Sequence, residues 1–69
     1  MARDRDPFTQ AYATLRDDLR TAALAPGQAL VILDIAKALG MSTTPVREAL
    51  ATLHGEGLIE RGPGPGYSV

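Results

Sequence analysis

The sequence predicts a mainly α domain, a three-helix core with a small β-hairpin appended, and three observations carry that expectation. Apolar residues recur at spacings of three and four in three separate segments, around residues 8–23, 32–39 and 46–53. Gly and Pro punctuate the chain between and beyond these segments, at Pro26-Gly27, at Gly40, and at Gly55 and Gly57. After them come two short strand-like runs, on either side of Gly62-Pro63-Gly64-Pro65-Gly66.

Residues 1–6 read as a flexible tail, in which Arg3 and Arg5 alternate with Asp4 and Asp6. Asp6-Pro7 resembles a helix start, because an Asp can accept backbone N–H groups there and Pro loses nothing at the first helical position. From Phe8 through Ala11, Tyr12, Leu15, Leu19, Ala22 and Ala23 the apolar residues keep helical spacing, which predicts a first helix over residues 7 to about 24. Pro26-Gly27 then makes a tight turn. Ala29-Leu30-Val31 is a short extended run able to pair with a strand elsewhere.

Ile32, Ile35, Ala36 and Leu39 mark a second helix, 32–39, ended by Gly40 as a left-handed cap. Val46, Ala49, Leu50 and Leu53 mark a third, 43–55, with Ser42 or Thr44 as its N-cap and Pro45 tolerated in its first turn. Strands are expected at about 58–61 and 66–69, since Gly and Pro between them can continue neither helix nor central strand.

The chain has 69 residues, enough for one domain with a small core; at this size about 60% of the unfolded surface is buried on folding. Its 45% hydrophobic content, with one Phe, two Tyr and no Trp, implies a core of Leu, Ile, Val and Ala. There is no Cys, and the single His54 cannot complete a zinc shell, so neither a metal site nor a cofactor is expected. Asp17, Asp18 and Glu56 come with no apolar pocket that would make them a general acid/base pair, so no catalytic residue is expected either. No apolar run approaches a membrane span of about 18 residues and the N-terminus has no signal core, which predicts a cytoplasmic chain. Seven Lys and Arg against eight Asp and Glu give a net charge of −1, so the basic excess that usually announces nucleic-acid binding is missing.

The stretch GMSTTPVREAL, residues 40–50, is nonetheless arranged for a duplex. Two short helices joined by a Gly-containing turn make a helix-turn-helix, whose second helix enters a major groove about 12 Å wide with its N-terminal turn near the base edges. Ser42, Thr43 and Thr44 are short enough to let that turn approach, and their hydroxyls can bond phosphates or bases. Arg47, one turn in and opposite Val46 and Leu50, can reach a phosphate or fork onto a guanine; the alternative is a pair with a neighbouring acid on the helix surface. Lys37 reads as solvated or as a phosphate contact from the second helix.

The run LDIAKALGMSTTPVREALATLHGEGLIERGPGPGYSV resembles the N-terminal winged helix-turn-helix domain of the GntR family of bacterial transcription regulators, and TPVREAL is most similar to its FadR-like branch. The resemblance implies a three-helix core with a two- or three-stranded wing. It implies sequence-specific binding to double-stranded DNA as a homodimer on a near-palindromic operator, with a small-molecule effector bound by a further C-terminal domain, so that the present chain is a piece of a longer regulator. DNA contacts carried over from the family fall on Ser42, Thr43, Thr44, Arg47 and the wing-tip Gly64. Three departures stand out: Thr43 replaces a common Arg, Ile32 and Leu33 replace an Arg or Glu-Arg pair, and the wing lacks a frequent basic residue. They leave a second reading open, a winged-helix module kept for protein–protein contact with weak or no DNA binding.

Overall fold

The computed structural model describes residues 6–62 and 66–69. Its elements run α1 (Pro7–Arg20), β1 (Ala29–Leu30), α2 (Ile32–Leu39), α3 (Thr43–Gly55), β2 (Glu60–Arg61) and β3 (Tyr67–Ser68). Helix α1 starts as its local chemistry dictates: the extended Asp6 accepts the Thr9 N–H at 2.7 Å, and Pro7 fills the first turn. The bonds from Thr9 hold the Asp6 carboxyl below its ordinary value of 3.8.

The end of α1 departs from the periodicity, which reaches residue 24. Ala22 adopts a left-handed φ of 63°, and the N–H groups of Ala23 and Leu24 turn back onto the Asp18 carbonyl at 3.0 and 3.4 Å. The apolar phase still has a use, since Leu24 packs against the core from the turn instead of from a helix.

Helix α2 ends at Gly40, whose φ of 69° is open to glycine without a Cβ clash and lets Met41 N–H reach back to the Ala36 carbonyl at 3.0 Å. That reversal sets α3 against α2. Ser42 occupies the N-cap position of α3 in an extended conformation, and Pro45 sits within the first turn, where no intrahelical donor is lost. At the far end the Leu58 N–H closes onto the Leu53 carbonyl at 3.0 Å across Gly57, whose φ is 80°.

The three strands form one antiparallel sheet in the order β1-β3-β2, with Leu30 opposite Tyr67 and Tyr67 opposite Arg61. Bonds between Val69 and Gln28, and between Gly27 and Val69, extend the β1–β3 ladder. The strands are shorter than the expected 58–61 and 66–69, because Leu58 and Ile59 are used in leaving α3 and in packing before the ladder begins. The wing loop is pinched by the Gly62 N–H on the Gly66 carbonyl at 3.1 Å. Gly66 has a φ of 113°, and a Cβ there would meet the Leu30 carbonyl oxygen at 3.1 Å, so the close approach of β1 to β3 needs glycine.

The core gathers on α3, which contributes Val46, Ala49, Leu50 and Leu53, met by Ala11 and Leu15 of α1, Ala36 of α2, Leu30 of β1 and Ile59. Leu50, Leu53 and Val46 are fully buried, and each such side chain is worth about 1.5–3 kcal/mol. With its inner face so anchored, α3 holds its other face at the surface.

Candidate nucleic-acid interface

Helix α3 is divided lengthwise by its sequence phase. Val46, Ala49, Leu50 and Leu53 face the core, while Thr44, Arg47, Glu48, Ala51, Thr52 and His54 are exposed. Arg47, Ala51 and His54 stand at i, i+4 and i+7 and share one outer face. Along the axis Ser42 to Arg47 spans only about 8 Å, so Ser42, Thr43, Thr44 and Arg47 crowd one turn and a half at the front of the helix.

Ser42 is exposed and its hydroxyl makes no capping bond to the helix. Thr43 is half-buried and Thr44 exposed. Among the described residues the one ion pair joins Arg20 to Asp17 on α1, so the pairing alternative for Arg47 has no partner there. Lys37 lies exposed in the last turn of α2, across the Gly40-Met41 turn from Ser42, and has no ion-pair partner among the described residues. Gly64, expected at the wing tip, and Arg3 and Arg5 in the tail lie outside the described residues. The two residues standing where a basic pair was noted as missing are placed differently: Ile32 packs against the core, whereas Leu33 is 61% exposed.

Two arrangements at the back of α3 were not foreseen from the sequence. The Tyr12 hydroxyl donates to the Glu56 carboxylate, 2.8 Å from Oε1 and 2.9 Å from Oε2, tying α1 to the end of α3. The bond to Glu56, ahead of desolvation and the carboxylate's charge, pushes the Tyr12 phenol above its ordinary value. In the second arrangement the Arg61 guanidinium carbon lies 5.3 Å from the Tyr67 ring centroid, and the His54 ring 5.7 Å from the same centroid, tilted by 52°. The expected strand limits would have set residue 61 beside the wing loop, which is the signal that could have found the Arg61–Tyr67 pair. Nothing in the sequence pairs Tyr12 with Glu56, 44 positions away.

The front of α3 is a polar edge, with the exposed Ser42 and Thr44 and an exposed Arg47 that has no acid partner among the described residues. Such an edge suits a phosphate-lined groove. Among the described residues no group of three or more His, Cys, Asp or Glu could hold a metal, and no helix is long and apolar enough to cross a membrane.

Comparison with known proteins identifies the family and the fold. The family model for bacterial regulatory proteins, gntR family, matches residues 7–69. An uncharacterised HTH-type transcriptional regulator of Agrobacterium vitis is 43% identical over 59 residues, covering 86% of this chain and 34% of that protein. The HTH-type transcriptional regulator McbR of Escherichia coli is 40% identical over 60 residues, covering 87% and 27%. The solved structure of E. coli McbR/YncC superposes with a TM-score of 0.89 at 35% identity over 94% of this chain and 31% of that one. The structure of Lar, which controls the expression of the Listeria monocytogenes agr system and mediates virulence, does so with a TM-score of 0.84 at 25% identity, over 94% and 30%. The chain spans about a quarter to a third of the length of the curated relatives it matches.

Proposed function

This chain belongs to the gntR family of bacterial regulatory proteins and has its helix-turn-helix DNA-binding domain, and from that premise we propose that α3 enters the major groove front end first, with the wing against the adjoining backbone. In this reading Ser42, Thr43 and Thr44 approach phosphates or base edges, Arg47 bonds a phosphate or forks onto a guanine, Lys37 touches a phosphate from α2, and Gly64 lets the wing backbone come close. What supports it above all is Arg47, exposed one turn into α3 and without an acid partner among the described residues. A guanidinium left unpaired at the front of a helix is poised for an outside anion.

The same reading takes the working protein to be a cytoplasmic homodimer on a near-palindromic operator, its two α3 helices one duplex turn apart, about 34–36 Å. Control by a small-molecule effector held in a C-terminal domain belongs to it as well; relatives of which the matched stretch covers only 25–34% have room for one. The protein–protein alternative is not favoured, because the chain belongs to a family of bacterial regulators with a helix-turn-helix domain, and the front of α3 at Ser42, Thr43, Thr44 and Arg47 is polar.

Arg47→Ala tests the reading. It is expected to weaken binding to a preferred duplex by about 1–3 kcal/mol in a titration at fixed salt, with the fold intact by circular dichroism. Unchanged affinity in the folded variant would remove Arg47 from the interface.

A further inference from the structure

Arg61 ends β2 directly before the wing loop and stands opposite Tyr67 in the ladder. The bond between Gly62 and Gly66 closes the loop just beyond, so this pair forms the neck of the wing. Arg61 is exposed, and among the described residues it makes neither an ion pair nor a side-chain hydrogen bond. Its partner there is the Tyr67 ring at 5.3 Å. A guanidinium uses its flat face for stacking and its edge for donating, so a stacked Arg without an acid keeps all its N–H groups available.

The cluster also continues the outer face of α3. His54 packs on the Tyr67 ring, and His54 lies two turns beyond Arg47 on the same side of the helix, about 10 Å along the axis. A line therefore runs from the Ser42 end through Arg47, Ala51 and His54 to Tyr67 and Arg61.

We propose that Arg61, held on Tyr67 with His54 packed against the same ring, is a phosphate-binding site for duplex DNA at the neck of the wing. It supplies the cation that the run from Gly62 to Gly66 lacks. The ring fixes the guanidinium before DNA arrives, which lowers the ordering cost an unrestrained Arg side chain meets on binding. Contact is to the backbone, so this site adds affinity and register without reading sequence. The proposal rests on the DNA-binding reading above.

The test titrates the full chain, over a series of salt concentrations, against two labelled duplexes: one selected by the wild-type chain from a random pool, and a scrambled one of equal length. Arg61→Ala is expected to weaken both by the same factor, about fivefold near 0.15 M salt, and to reduce the salt slope by about 0.9. Arg61→Gln, which keeps a stem on the ring but no charge, shows the same reduction. Arg61→Lys restores the slope but only part of the affinity, because an ammonium neither stacks nor forks as a guanidinium does. Tyr67→Leu lowers affinity for both duplexes while leaving the slope near that of the wild type. A folded Arg61→Gln variant with unchanged slope and affinity overturns the proposal, as does a loss confined to the selected duplex. A wild-type chain that binds neither duplex in a salt-dependent manner overturns the DNA-binding reading itself.

Discussion

The two ends of α3 are built on opposite principles. At the back, contacts within the molecule tie the elements together: Tyr12 donates to Glu56, the Leu58 N–H closes on Leu53, and the His54 ring packs on Tyr67. At the front, the Ser42 hydroxyl caps nothing and Arg47 has no acid beside it among the described residues. The difference shows where a small domain can keep its recognition chemistry. Val46, Leu50 and Leu53 anchor the inner face of α3 along its length, so the front turn can keep its donors and acceptors open without loosening the fold. A site made of groups already satisfied internally would have to break those bonds before binding anything.

The strongest way to break this comparison is to remove packing at the back. Leu53 is fully buried, and Leu53→Ala is expected to lower the unfolding free energy by about 2–5 kcal/mol in urea or thermal denaturation. In a domain of this size that is a large share of the whole. Arg47→Ala, tested the same way, should stay within about 0.5 kcal/mol of wild type even as DNA affinity falls. If the two variants proved equally unstable, the front would be bearing part of the fold and the division would fail.

What the sequence made legible follows the same division. The extents of α2 and α3 were legible, apart from the choice between Ser42 and Thr44 as the α3 N-cap, because branched and long apolar side chains at fixed phase meet Gly40 on one side and Gly55 and Gly57 on the other. The end of α1 could not, since Ala22 takes the left-handed conformation that glycine usually signals, while Ala23 and Leu24 prolong the apolar phase beyond the last helical turn. The pairing of β1 with β3 could be anticipated only as an unassigned strand seeking a partner, for a two-residue ladder carries too little pattern to name its neighbour. At the candidate site, helical phase placed Arg47 outward and grouped it with Ser42, Thr43 and Thr44. It could not say whether the guanidinium would be paired, because that depends on which acids the fold brings near. The Tyr12–Glu56 bond lay beyond sequence reading for the same reason, joining residues whose proximity exists only after α1 has docked on α3.

That bond supplies a smaller and more selective probe of the back. Tyr12→Phe keeps the ring, which stacks with Phe8 at 6.0 Å between centroids, and removes only the hydroxyl. Its melting temperature at neutral pH is expected to fall by less than that of Leu53→Ala, since Glu56 is exposed and water can replace the lost donor. The sharper readout is alkaline pH. The folded Tyr12 phenol titrates above the ordinary value of 10.0, so its contribution is complete below that value and is lost as pH rises through the folded value. Melts from about pH 9 to 11 should therefore show a steeper decline for wild type than for Tyr12→Phe. Parallel curves would mean that the hydroxyl does not couple α1 to α3 in solution.

The smallest stability change is expected at the front, where it is the most informative. Replacing an N-cap Ser by Ala ordinarily costs about 1 kcal/mol, because the hydroxyl satisfies a helix N–H that is otherwise left over. Ser42 occupies that position without making the bond, so Ser42→Ala should change stability by less than about 0.5 kcal/mol. If the hydroxyl is kept for a phosphate or a base edge, the same variant loses about 1 kcal/mol in DNA binding instead. A full capping loss with unchanged DNA affinity would assign Ser42 to the fold, and the front of α3 would then be bound up in internal contacts to the same degree as the back.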